Sequence, residues 1–177
     1  MFRTDRLGLL GIPFGAGQSK SGVDLAPALL RKAGLKQAIT QAGWNVDDLG
    51  DLKIPVPSGT GLATRSFRHA ESIAHACRLA AESVEKVLRA GKLGLQIGGD
   101  HGIALGTIAG ALRAYPDLRV IWVDAHGDSN TPETSPTGNF HGMPLAALMG
   151  LFSIREMPGF EWLGSILRPE REAIVGV

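Results

Sequence analysis

Apolar positions along this chain form short unbroken runs, separated by longer stretches in which they recur every three or four residues. The first run, Leu7 to Ile12, is of strand type and stops at Pro13 and the Gly15-Ala16-Gly17 loop. Pro27 suits the first position of a helix with Asp24 as its cap, and Leu29, Leu30 and Ala33 give that helix an apolar face. Gly34 interrupts the pattern, Leu35 to Ala42 resumes it, and Gly43 ends it. Trp44 to Leu49 predicts a second strand, and Pro55, Pro57, Gly59 and Gly61 mark Leu52 to Ser66 as the longest loop. Ile73, Cys77, Ala80, Val84 and Leu88 recur at helical spacing opposite Glu71, Arg78, Glu82 and Lys86, which predicts a helix from Phe67 to Ala90 stopped by Gly91. His69 and His75 fall within it and read as ordinary helix residues. Leu93 to Ile97 is a third strand, followed by a helix from Ile103 to Ala114 with Leu105, Ile108, Ala109 and Leu112 as its buried stripe. Val120 to Val123 reads as a fourth strand buried on both faces, Met143 to Leu151 as a helix, and Ala173 to Val177 as a fifth strand. Strand alternating with helix predicts a mostly parallel sheet with right-handed crossovers. The expected fold is therefore α/β, three-layer α/β/α, in a single domain over residues 1–177, with no helix following the last strand to cover it.

Composition changes this picture little. A chain of 177 residues has room for one domain with a sizeable core. The net charge of +1 and the lack of any basic run give no reason to expect a nucleic acid or an anionic membrane as partner. Cys77 is the single cysteine, so no internal disulfide forms, and its neighbours Ala74, Ala76, Leu79 and Ala80 mark it as a small buried hydrophobe. No apolar run approaches the roughly 18 residues that span a bilayer. Regular structure starting near Leu7 leaves no room for a leader peptide. A cytoplasmic location is expected.

The chemistry gathers where two of the strands end. Val120 to Val123 stops at Asp124-Ala125-His126-Gly127-Asp128, and Leu93 to Ile97 stops at Gly98-Gly99-Asp100-His101. In open α/β sheets the ligand site lies outside the carboxyl ends of the strands. One reading is a solvent-facing loop whose Asp and His residues cap helices. The other is a metal site: D-x-H-x-D sets three ligand-type side chains at alternate positions, which an extended backbone turns to one side. Carboxylate oxygen mixed with imidazole nitrogen, with no cysteine nearby, suits a divalent first-row ion better than a structural zinc cluster. The paired glycines are expected to turn the chain sharply and bring His101 to the same edge. No P-loop is present and no G-x-G-x-x-G with a downstream acid follows the first strand, which argues against a nucleotide-binding domain.

Three linked motifs, G-G-D-H at 98–101, D-A-H-G-D at 124–128 and G-N-F-H-G-M-P at 138–144, resemble the consecutive signatures of the arginase family, the manganese ureohydrolases. A fourth block, Gly11-Ile12-Pro13-Phe14 through Gly22-Val23-Asp24 and Ala26-Pro27, is similar to that family's first strand and helix. The resemblance runs along the whole chain. Asn130-Thr131-Pro132 and N-x-H-G-M-P look like arginase rather than agmatinase.

The resemblance implies residue roles. His101 and Asp128 would bind a first Mn2+ ion, His126 a second, and Asp124 would bridge them. Asp100 would be a supporting or structural carboxylate. His141 and Asp128 would act in catalysis, His141 by proton transfer and Asp128 by orienting hydroxide. Asn130, Thr137 and Asn139, with Ser135 as a further candidate, would hold the amino-acid end of L-arginine; Thr137 stands where many relatives carry Ser. The segment Gln18 to Gly22, a surface loop on its residues alone, would border the mouth of the site. The implied reaction is L-arginine plus water to L-ornithine plus urea, in a homo-oligomer, trimer or hexamer. The competing readings are another ureohydrolase (agmatinase, guanidinobutyrase or formimidoylglutamase type) and a non-catalytic metal-binding fragment. The family completes its metal set with a later D-x-D pair and a downstream Glu, neither of which occurs here. The expectation is thus the amino-terminal half of an arginase-like protein, with a fold incomplete at its C-terminus.

Overall fold

The computed structural model describes residues 5–55, 67–164 and 167–177. Strand β1 (Arg6–Ile12) lies at the centre of a parallel sheet, with β2 (Asn45–Asp51) on one side and β3 (Leu93–Gly98) on the other. Its side chains alternate between two cores, which is why its sequence is apolar at nearly every position. Leu7 and Leu9 pack with Ile97 against Leu35, Ile39 and Trp44, the first two of these from helix α2 (Leu35–Gln41). Leu10 and Ile12 enter a larger core built on α3 (Ala70–Arg89), α4 (Ala104–Ala114) and α5 (Pro144–Met149). Helices thus cover both faces of this sheet, as the three-layer reading expects.

Helices α3 and α4 meet backbone to backbone. A Cβ at Gly106 would overlap the carbonyl oxygen of Cys77, and one at Gly110 that of Ala81. Cys77 is fully buried at this seam, where its Sγ donates to the Gly102 carbonyl at 3.5 Å. Burial pushes its thiol up to about 12.

Several sequence expectations need correction. Strand β4 (Val120–Val123) pairs in parallel with β5 (Glu172–Val175), and among the described residues this pair forms a separate sheet that does not bond to β3. Nor is β4 buried on both faces. Trp122 is 4% exposed, whereas Ile121 and Val123 are 73% and 76% exposed, because no described element lies over their side of the strand. Asp24 does not cap the first helix. It sits in a 3-10 turn, Val23–Leu25, that runs into α1 (Ala26–Lys32), and Leu25 takes the cap position. Pro27 is the buried residue of that helix, while Leu29 and Leu30 face outward. His69 lies outside α3 as its cap residue, with φ 57°. Most of the predicted Leu52 to Ser66 loop lies outside the described residues.

An ion-pair cluster ties α1 to β2. The Arg31 guanidinium donates to both Asp48 oxygens at 3.0–3.2 Å and to the Gly50 carbonyl at 3.0 Å, and it also reaches Asp51. Burial would raise the Asp48 carboxyl, but the Arg31 guanidinium and the Gly50 N–H outweigh it and hold the group below the usual carboxylate range. A carboxyl depressed in the folded state stabilises the fold above its unfolded pKa, about 3.9, and loses that contribution as pH falls through the lower folded value. Arg31→Met is therefore expected to lower stability at neutral pH by about 1–3 kcal/mol. The gap from the parent chain should close as urea unfolding is followed below about pH 4; a constant gap would show that Arg31 acts by packing alone.

Candidate functional site

Two strand ends and one loop build the site. At the end of β3 the chain turns into a 3-10 turn, His101–Ile103, that presents His101. The glycines before it serve a different purpose from the sharp turn expected of them, since neither has positive φ. A Cβ at Gly99 would overlap the carbonyl oxygen of Phe14, and one at Gly98 would overlap the tip of Ile103. They are small so that β1 and the turn can approach closely. At the end of β4 comes Asp124, and beyond it Asp128 adopts φ 41°, a left-handed conformation that Asp tolerates better than most residues. The Asp128 carbonyl accepts from the N–H groups of Leu145 and Ala146 at 3.1 and 3.4 Å, so the first turn of α5 fixes this backbone.

The structure brings His101, Asp124 and Asp128 together, with one potential ligand atom from each lying within 4.8 Å of the others. His101 Nδ1 is 2.7 Å from Asp128 Oδ2 and 3.1 Å from Asp124 Oδ2. The other oxygen of Asp124 turns away to His126, accepting its backbone N–H at 2.9 Å and lying 3.2 Å from its Nδ1. Asp124 therefore faces one imidazole with each oxygen. His126 itself is 81% exposed and stands outside the close group of three.

The two carboxylates differ. The backbone N–H of His126 outweighs burial and, with the His126 ring and the two imidazole charges, holds the Asp124 carboxyl below its ordinary range. Burial pushes the Asp128 carboxyl up against the pull of His101, and the Asp124 charge adds to the rise. Mixed nitrogen and carboxylate donors at this spacing could hold a metal cation.

A cavity of about 510 Å³ opens over the cluster. His101, Asp124, His126, Asp128, Asn130, Ser135, Thr137, Asn139 and His141 all line it, whereas Asp100 and the Gln18 to Gly22 segment do not. Three loop hydrogen bonds set the polar rim. Thr134 donates to Asn130 Oδ1 at 3.2 Å, Gly138 N–H to Ser135 Oγ at 3.1 Å, and Asn139 N–H to Thr137 Oγ1 at 3.2 Å. Each partner oxygen is occupied as an acceptor, which leaves the Asn130 amide N–H groups and the Ser135 and Thr137 hydroxyl protons as donors for an anionic group.

Sequence reading passed over Trp122. Its ring lies against that of His101, with centroids 4.7 Å apart and planes tilted by 32°, which limits rotation of the imidazole. Its place two residues before Asp124 on a strand was the available signal, because alternate residues share a face. Gly17, given no role in the sequence, also borders the site, its carbonyl accepting from the backbone N–H of His141 in the 3-10 turn Phe140–Gly142.

Comparison with known proteins places these features. The model of the arginase family matches residues 5–177. Arginase-1 of Xenopus laevis is 41% identical over 174 residues, covering 97% of this chain and 54% of the relative. The solved structure of Bacillus caldovelox arginase superposes with a TM-score of 0.83 at 39% identity, over 97% of this chain and 57% of that one. Entamoeba histolytica arginase, solved in complex with L-ornithine, gives 0.81 at 32% identity over 99% and 58%. Formimidoylglutamase of Bacillus subtilis is more distant, at 0.60 and 25% identity over 84% and 44%. The chain spans about half the length of the curated relatives it matches. No helix among the described residues is long and apolar enough to cross a membrane.

Proposed function

Because the chain belongs to the arginase family, we propose that it carries one side of an arginase active site, in which L-arginine and water give L-ornithine and urea. The observation that carries this reading is the division of Asp124 between His101 and His126, with Asp128 closing on His101. His101, Asp124, His126 and Asp128 would hold manganese, with Asp124 shared. When bound, a pair of such ions supplies the positive charge that brings the pKa of water towards neutrality. Asp128 orients the attacking water by accepting a hydrogen bond from it. His141, which lines the same cavity, gives a proton to the departing amine. Asn130, Ser135, Thr137 and Asn139 hold the carboxylate and amine end of the amino acid with neutral donors and acceptors. The greater distance of formimidoylglutamase favours arginine over its substrate class. The same reading puts the protein in the cytoplasm and in a homo-oligomer, supported by its lone buried Cys77 and the outward-facing Leu25, Leu29 and Leu30.

The substrate assignment is tested by binding. In excess manganese, Asn130→Ala and Thr137→Ala should each weaken L-arginine by about tenfold or more while agmatine, which lacks the carboxylate, loses little, as calorimetry would read it. Equal losses for both ligands would reject the carboxylate pocket.

Charge sets a limit on the chain by itself. Asp124 and Asp128 bring two negative charges to two divalent cations, and manganese prefers about six ligands in oxygen-rich sites. Further carboxylates are therefore needed from outside these 177 residues. Urea release by the chain alone is expected to be far below that of the chain mixed with the remaining half of a related arginase. Comparable rates with and without that addition would remove the need for outside ligands.

A further inference from the structure

Asp100 is the buried charged side chain among the described residues, 5% exposed, and the reaction outlined above gives it no task. Its two oxygens are taken by backbone donors far apart in sequence. Oδ1 accepts from Gly102 N–H at 2.8 Å, which caps the 3-10 turn that carries His101. Oδ2 accepts from Gly17 N–H at 2.8 Å, across 83 positions of sequence. The Gly17 carbonyl in turn accepts from the backbone N–H of His141 at 2.9 Å. A Cβ at Gly17 would overlap the Asp100 carboxylate, so the loop comes this close only because Gly17 has no side chain. The Asp100 N–H is itself anchored on the Phe14 carbonyl at 2.9 Å.

We propose that Asp100 is a positioning residue that couples the metal side of the site to its proton-transfer side. One carboxylate oxygen holds the His101 turn and the other holds Gly17, whose carbonyl holds His141, so the two imidazoles are set against each other through a single buried group. The coupling rests on the proposed function only in giving His101 and His141 their work. Its physical requirement is an acceptor at both oxygen positions, and only a carboxylate meets it. Asparagine is about as good a cap residue as aspartate. In Asp100→Asn the amide oxygen therefore stays on Gly102 N–H, and the amide NH2 faces the Gly17 N–H, donor against donor.

Amide hydrogen exchange, read by NMR on the 177-residue chain, tests this without reference to turnover. In the parent chain the Gly17, Gly102 and His141 amides are expected to be protected. In Asp100→Asn the Gly17 and His141 amides should exchange about tenfold to a hundredfold faster, the loss expected of one charge-assisted hydrogen bond, while Gly102 and the centres of β1 and α3 change much less. Gly17→Ala supplies an independent check. It should be severe alone and much milder in the Asp100→Ser background, a non-additivity expected only of groups in contact. Unprotected Gly17 and His141 amides in the parent chain, a uniform rise at all amides in Asp100→Asn, or additive effects of the two substitutions would each overturn the proposal. A finding that His141 transfers no proton would instead strike the proposed function and leave the exchange result standing.

Discussion

Asp124→Asn is expected to leave the chain with less bound manganese than any other single ligand substitution, including His101→Asn. The reason is geometric. Asp124 lies 3.1 Å from His101 Nδ1 with one oxygen and 3.2 Å from His126 Nδ1 with the other, and it alone of the cluster reaches towards both imidazoles. Converting it to an amide removes one negative charge and one oxygen donor at once. His101→Asn removes a single neutral donor and leaves both carboxylates in place. Losing a supporting partner of a metal ligand costs about 10–100-fold in affinity, and losing the shared ligand should cost more. Elemental analysis after dialysis against a fixed manganese concentration reads the difference. If His101→Asn retains less metal than Asp124→Asn, Asp124 is not the shared ligand.

The second large effect is expected from a residue with no ligand atom. Gly99→Ala places a methyl group on the Phe14 carbonyl, against main-chain atoms that have no freedom to turn aside. That carbonyl accepts the Asp100 N–H, and Gly99 N–H donates to the Ile12 carbonyl at 3.2 Å. Forcing β3 away from the loop after β1 therefore breaks the frame of the His101 turn as well as the local packing. A loss of about 3 kcal/mol or more is expected in urea unfolding, together with a fall in manganese content. Gly98→Ala is the control. Its methyl meets the tip of the Ile103 side chain, which can rotate, so a loss of about 1 kcal/mol is expected with little change in metal. Equal losses at the two positions would mean that the close approach of β1 and β3 is not what these glycines provide.

How far the molecule could be read from its sequence varies with the range of the interactions involved. Strand β1 was legible because burial on both faces leaves an unbroken apolar run. The D-x-H-x-D spacing marked the right loop but not its geometry. The chain bends at Asp124 to His126 and Asp128 takes φ 41°, so the three side chains do not turn to one side as on an extended strand. His101 rather than His126 joins the two carboxylates. The reasoning that served for β1 failed for β4. Val120-Ile121-Trp122-Val123 looks like β1 in composition, yet only Trp122 is fully buried and Val120 partly, since a run of apolar residues says what a strand could bury and not what arrives to bury it. Strand neighbours were equally out of reach. Nothing in periodicity distinguishes β3 beside β1 from β3 beside β4. Asp24 and His69 were misplaced by a few residues each, because a 3-10 turn before α1 and a left-handed cap before α3 depend on local backbone geometry that residue spacing does not carry. The reach of Asp100 to Gly17 joins positions 83 residues apart and left no trace in either segment taken singly.

The tight seam between α3 and α4 turns the protein's one thiol into a clock. Cys77 cannot meet a labelling reagent in the closed structure, and its high pKa keeps it from forming thiolate there. Because Gly106 and Gly110 let the helices touch through their backbones, no small side-chain rotation exposes the sulfur; the helices themselves have to part. The rate at which the thiol is modified, set against that of the same thiol in the unfolded chain, thus reports how far this helix pair opens. Since Sγ rests on the carbonyl of Gly102, one residue from His101, that opening is read directly behind the turn that presents His101.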